Sequence, residues 1–234
     1  MRNDLTIYDQ ISDQWWSDDV RWVRILKNLT TGRLSWFDRR IDWKGRDVLD
    51  LGCAGGFMAE ALASRGANVT GIDPAQQAIE EARRHAKINN LTIEYNVGAG
   101  ENLPYPDRSF DIVVCVDVLE HVADLQKVIN EIARVLRPGG CFVFDTINRT
   151  RIARLATITV AEEILRILPR GVHDPDLFIK PEELRTIMAK AGLQPGDITG
   201  LGPTGIDRRF DPVFGRIPFT GIIYMGLAYR YGEN

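Results

Sequence analysis

The chain has 234 residues, with 29 Lys and Arg against 32 Asp and Glu, and a formal net charge of −3. That balance leaves no electrostatic footprint for nucleic acid, and no stretch approaches the apolar length that spans a membrane or forms a signal peptide. The three cysteines, Cys53, Cys115 and Cys141, form no C-x-x-C pair, so neither a zinc ribbon nor a disulfide framework is indicated and the chain reads as cytoplasmic.

At this length one domain, residues 1–234, is expected, able to bury roughly 70–75% of its unfolded surface. Residues 1–41 read as a cap of two helices, IYDQISDQWWSDD and VRWVRILKNLTTGRLSWFDRRI. Trp15 and Trp16 either cover an aromatic ligand there or anchor the first helix on the core.

The organising stretch follows, DVLDLGCAGG over residues 47–56. Val48, Leu49 and Leu51 predict a short buried strand that breaks on Gly52, Gly55 and Gly56 and restarts as the helix FMAEALAS. Such a turn lets a ligand approach backbone N–H groups with no side chain in the way. Asp73 comes about 20 residues later, ending the apolar run VTGID, where a carboxylate can accept bonds from two ribose hydroxyls. The dinucleotide form G-x-G-x-x-G fits poorly and no G-x-x-x-x-G-K-[ST] phosphate loop is present. Together these features describe a nucleoside-binding βαβ unit.

The form D-x-G-x-x-G, with Asp50 just ahead of the loop, resembles motif I of the class I S-adenosylmethionine-dependent methyltransferases. That cofactor carries a sulfonium and an ammonium group, so a carboxylate such as Asp50 attracts it. The resemblance implies a cofactor site made by Asp50, Gly52, Cys53, Ala54, Gly56, Asp73 and Pro74. Ala54 stands where the family often has glycine, and is expected at negative φ.

Beyond the loop the alternation continues: NVTGID, the helix PAQQAIEEARRHAKINN, TIEYN, the loop VGAGENLPYPDRS, FDIVVCV, the helix ADLQKVINEIARVLR and CFVFDT. Strand–helix repetition predicts an α/β doubly wound, mostly parallel sheet with its ligand beyond the carboxyl ends of the strands. The methyltransferase resemblance implies seven strands, N-terminal helices and a helical insert after the fifth strand. It also makes Gly100 and Glu101, in the loop after the third strand, candidate contacts to the adenine.

After the fourth strand comes Val116-Asp117-Val118-Leu119-Glu120-His121-Val122. In a helix Asp117, Glu120 and His121 would share one face. That face could hold a divalent ion, Mg²⁺ or Zn²⁺, or use the imidazole as a general base oriented by a carboxylate.

Residues 148–180 break the rhythm with the helical insert. DTINR, AEEILRILPRG, His173-Asp174, FIKPEEL and ITGL, with LEHV and motif I, resemble the ubiquinone-biosynthesis O-methyltransferases from about residue 14 to residue 230. That resemblance implies transfer of a methyl group from S-adenosylmethionine to a phenolic or catechol hydroxyl of a polyprenylated quinone precursor. It places Val116 beside the adenine and gives Arg33 a role at the cofactor, where a guanidinium fork fits a carboxylate. It also matches the metal pattern E-x-x-E-H to Asp117, Glu120 and His121, with the first ligand shortened to aspartate. His173 is a second candidate base.

In IARLATITVAEEILRILPR, Ile152, Leu155, Ile158, Leu165 and Leu168 recur at helical spacing among Arg151, Arg154, Arg166 and Arg170. Such a helix either lies in a lipid headgroup region, making the protein peripheral at the membrane, or packs as a plain lid. Two other readings stay open: methylation of another small phenol or hydroxyquinone, and a non-catalytic cofactor-binding protein. Oligomeric state is not legible.

Overall fold

A computed structural model describes Asn3, Thr6, residues 14–164 and residues 171–232. The elements are α1 (Arg21–Phe37), β1 (Asp47–Leu51), α2 (Phe57–Ala63), β2 (Asn68–Asp73), α3 (Gln76–Ile88), β3 (Ile93–Val97), β4 (Phe110–Cys115), α4 (Leu125–Val135), β5 (Leu136–Ile147), α5 (Arg151–Arg154), α6 (Pro181–Lys190), β6 (Leu193–Ile206), β7 (Pro212–Ile217) and β8 (Ile223–Arg230). Most of the first expected helix, residues 7–13, lies outside the described residues, and residues 14–19 form turns.

The strands form one sheet in the order β3-β2-β1-β4-β5-β8-β6-β7. β3, β2, β1, β4 and β5 pair in parallel, and β8, β6 and β7 join antiparallel. The sheet therefore has eight strands where seven were expected. The extra one is β7, whose sequence PVFGRI carries a proline and a glycine and suits an edge.

Alternation along the strands divides the core. Val48, Val69, Ile112, Val114 and Val143 face α1, α2 and α3. Leu49, Leu51, Val113, Phe142 and Phe144 face α4 and α6. Two buried faces explain why β1 and β4 read as continuous apolar runs. α4 begins where Asp124 accepts the Lys127 N–H at 3.0 Å.

α1 lies directly on β7. At Gly32 a Cβ would stand 2.7 Å from the backbone carbonyl carbon and oxygen of Phe214, so no larger residue fits without separating the two elements. Nearby, the fully buried carboxylate of Asp211 takes Arg21 Nε at 2.9 Å and Arg24 Nε at 2.6 Å. The helix that precedes the sheet in sequence is thus fastened to its far edge.

The insert departs from a regular α-helix. Four α-helical residues are followed by wider, π-type winding over Leu155–Ile164. The expected stripe is therefore split: Ile152 (48% exposed) and Leu155 (55%) face outward, while Ile158 packs with Ile147, Ala153 and Phe178. Leu165, Arg166, Leu168 and Arg170 lie outside the described residues.

Candidate active site

The loops at the carboxyl ends of β1, β2, β3 and β4 enclose a cavity of about 500 Å³. Its walls include Gly52, Cys53, Ala54, Asp73, Pro74, Gly100, Glu101, Val116, Asp117 and His121, with Arg33 and Trp15 from the N-terminal side. Asp50, Gly56 and Glu120 are not among the wall residues.

The floor is the turn from β1 into α2. Gly52 and Cys53 donate their N–H groups to the Ile72 carbonyl at 2.8 and 3.2 Å, tying the loop to β2. Gly52 (φ 78°) and Gly56 (φ 90°) occupy the left-handed region, which favours glycine. Ala54 also has positive φ, 42°, contrary to the expected negative value. The Asp73 carboxylate explains how it is held there: one oxygen accepts the Ala54 N–H at 2.9 Å and the other the Ala75 N–H at 2.8 Å. Asp73 is also part of the cavity wall.

Asp50 stands behind this loop at 1% exposure, and its Oδ2 has no hydrogen-bond partner. Burial, aided by the nearby Asp73 charge, pushes its carboxyl up to about 7. A buried carboxyl under a glycine loop, with one oxygen unpartnered, takes on negative charge most readily beside a cationic ligand.

Trp15 and Trp16 have different places. Trp15 walls the cavity, edge-on to Trp22 and Phe57. Trp16 donates Nε1 to the Gly55 carbonyl at 2.9 Å and stacks on His85 with ring centroids 3.5 Å apart, anchoring the cap to α3.

The segment after β4 is a turn, not a helix, so Asp117, Glu120 and His121 share no face. Asp117 has φ 54°, and its N–H is captured by Asp145 Oδ1 at 2.8 Å. Its carboxylate meets Arg33 at 2.5 Å, while Arg33 Nε meets Asp145 Oδ2 at 2.5 Å. Arg33, expected at the cofactor, thus reaches the cavity already gripped by two carboxylates. Glu120 points into the protein, where Oε2 accepts the Thr146 hydroxyl at 2.8 Å and Oε1 has no partner. Its carboxyl is pushed up to about 8, first by burial and then by Asp117.

His121 Nδ1 is 2.7 Å from Asn3 Oδ1, which assigns the proton to Nδ1 and the lone pair to Nε2. Burial, reinforced by His173, pushes this imidazole down to about 3, so it is neutral near pH 7. The His173 ring lies 5.1 Å away, centroid to centroid, with Nδ1 2.8 Å from Glu162 Oε1. Glu162 also accepts the N–H groups of Gly171 and His173 at 2.9 and 3.3 Å. Glu162 carries no signal in the sequence beyond being a charge inside an apolar stripe. That misfit is the clue that could have found it.

Among the described residues no three His, Cys, Asp or Glu side chains are placed to share a metal ion. Asp117 is committed to Arg33, Glu120 to Thr146 and His121 to Asn3, so the expected divalent site does not fit this arrangement.

Comparison with known proteins decides the family. The methyltransferase domain family matches residues 49–144. A ubiquinone biosynthesis O-methyltransferase of Coxiella burnetii is 38% identical over 210 residues, covering 90% of this chain and 89% of that one. The chain belongs to the ubiquinone biosynthesis O-methyltransferase family. Another family member, from Pseudomonas putida, is 40% identical over 202 residues, 86% of each chain. Among solved structures, a SAM-dependent methyltransferase from Thermotoga maritima superposes with TM-score 0.68 at 18% identity, covering 97% of this chain and 100% of that one. The cyclase SpnF gives the same TM-score at 19% identity, covering 97% and 95%, so likeness at this level shows the fold alone. As a member of the O-methyltransferase family this chain is an S-adenosylmethionine-dependent enzyme, and its residues fit that cofactor. Asp73 and the glycine turn suit the nucleoside, and the buried Asp50 suits the positive charges.

Proposed function

We propose that the enzyme methylates a phenolic or catechol hydroxyl of a quinone precursor. The observation that carries this reading is the buried imidazole of His121 in the wall of the cavity that also holds the glycine turn, with the ring of His173 5.1 Å from it. S-adenosylmethionine, when bound, supplies an activated methyl group. The protein's own task is then to align the acceptor oxygen, exclude water and remove a proton.

A phenol with pKa near 10 costs about 4 kcal/mol to ionise at pH 7. His121 borders the cavity with a lone pair on Nε2, and burial keeps the ring neutral, so it can accept a hydrogen bond from an acceptor hydroxyl. Glu162 against His173 orients that imidazole as a carboxylate orients a general base. Proton removal is assigned to the His173–Glu162 pair, and His121, kept neutral by burial, accepts a hydrogen bond from the acceptor hydroxyl. Glu120, its carboxyl raised, holds the turn through Thr146 instead of taking the proton.

The test is labelled methyl transfer to catechols of graded acidity, unsubstituted to nitro-substituted. Glu162→Gln and His173→Gln should lose about 10²-fold in kcat on the weakest acids. They should lose little on a nitrocatechol that is already ionised. An equal loss across the series would make the pair structural, and a wild type inactive on every phenol would refute the acceptor class.

The insert supports contact with a membrane surface. Ile152 and Leu155 are exposed beside the exposed Arg151 and Arg154, which suits an interfacial patch on anionic lipid, and no described helix is long and apolar enough to cross a bilayer. Ile152→Glu with Leu155→Glu should abolish flotation with phosphatidylglycerol vesicles and leave turnover on a soluble catechol intact. Unchanged flotation would make the insert a plain lid.

A further inference from the structure

Asn3 lies 118 positions from His121 in sequence, yet both polar atoms of its amide meet that residue. Nδ2 donates to the His121 main-chain carbonyl at 3.1 Å, and Oδ1 lies 2.7 Å from His121 Nδ1. The first bond decides the second. A carbonyl oxygen accepts and never donates, so the amide cannot be turned round, and its own oxygen must face the ring. An oxygen facing Nδ1 needs the proton on that nitrogen, which leaves the lone pair on Nε2. The charges felt by the ring come from His173 and Asp117, but the bond to Nδ1 comes from Asn3. Thr6 stands in the cavity wall with His121, so this stretch of chain borders the same space.

We infer that Asn3 is a positioning residue, whose amide locks His121 in the tautomer that receives the acceptor hydroxyl on Nε2. The inference rests on the phenol reading above and adds the group that sets the direction of that hydrogen bond. Direction matters to the transfer. A hydroxyl that donates to Nε2 keeps its oxygen lone pairs free for the methyl carbon. With the proton on Nε2 the ring would donate instead, and would occupy a lone pair of the oxygen that has to attack. Burial does not make this choice, because it disfavours the imidazolium without distinguishing the two neutral tautomers. An amide makes it without adding charge. A carboxylate in the same place would favour the imidazolium, which has no lone pair to offer.

The chain has three histidines, so nitrogen-15 labelling of histidine gives a spectrum simple enough to read each ring. His121→Gln identifies the His121 signals by their loss. In wild type at pH 7 the couplings between ring protons and nitrogens should show His121 protonated on Nδ1 and bare on Nε2. Asn3→Ala should move His121 towards the Nε2–H tautomer and lower kcat on catechol about tenfold, the worth of one hydrogen bond. Asn3 is half-buried and away from the glycine turn, so S-adenosylmethionine affinity and the thermal midpoint should stay as in wild type. A wild-type His121 protonated on Nε2 would overturn the inference before any variant is made. So would an Asn3→Ala protein in which tautomer and turnover do not change together. A fall in cofactor affinity as large as the fall in kcat would make Asn3 a fastener of the cavity wall and nothing more. If the tautomer behaves as expected but wild type methylates no phenol, the acceptor reading fails while the lock on His121 stands.

Discussion

Asp50→Asn should make the cofactor-free protein more stable at pH 8 and bind S-adenosylmethionine more weakly. Asp50 is buried with one oxygen unpartnered, and its carboxyl is raised to about 7 from an ordinary value of 3.8. Between those two values the folded state keeps a proton that the unfolded chain has released. Stability therefore falls as pH rises from about 4 to 7, and above that the full loss is present. A shift of this size corresponds to about 4 kcal/mol. Asparagine stays neutral throughout, but its amide needs partners of its own in a buried place, which returns part of the gain. The expected net effect is about 2 kcal/mol of added stability at pH 8 and little at pH 4, read from urea unfolding at both pH values. Calorimetry should show cofactor affinity down by about tenfold or more, because the variant no longer offers negative charge to a cationic ligand. A variant less stable than wild type at pH 8, with unchanged affinity, would remove the electrostatic role given to Asp50.

The second large effect is expected at Arg33. Its guanidinium, 2% exposed, is divided between Asp145, fully buried, and Asp117. Arg33→Met would leave Asp145 buried without its cation, a change that typically costs about 3–5 kcal/mol. Against a total stability of about 5–15 kcal/mol this is a large fraction. Asp117 would also lose the contact that helps to hold its left-handed backbone. The double variant Arg33→Met/Asp145→Asn should recover much of the loss, because no uncompensated charge remains. Thermal unfolding of the two single variants and the double variant measures the coupling. If Arg33→Met instead melted like wild type and lost only cofactor affinity, Arg33 would be a ligand-binding residue and not a structural clamp.

The glycine-turn half of the candidate site was legible because its information is local. Gly52, Gly56 and Asp73 are placed by one strand–turn–helix–strand unit, and spacing alone brings them together. The strand–helix alternation and the two-faced burial of β1 and β4 follow from residue type in the same way. The acceptor half was less legible because its partners come from distant parts of the chain. Reading Asp117, Glu120 and His121 as a helical face assumed that backbone propensity decides their direction. Instead Asp145 captures the Asp117 N–H from 28 residues away, and Arg33 and Thr146 draw the carboxylates apart. Glu162 meets His173 across the end of the insert, a pairing that no periodicity encodes. β7 was hidden for another reason: an edge strand with Pro and Gly looks like a loop until β6 is found beside it. Ala54 shows that an unfavourable backbone angle persists where a side chain such as Asp73 fixes the N–H.

The contact between Gly32 and Phe214 has a consequence for synthesis. α1 is made well before β7, the strand it rests on. Leu26 and Arg33 of the same helix wall the cavity, so the packing of α1 on residues 212–217 bears on that wall. A chain cut ahead of residue 212 would therefore carry the whole glycine turn and still lack the strand that α1 rests on.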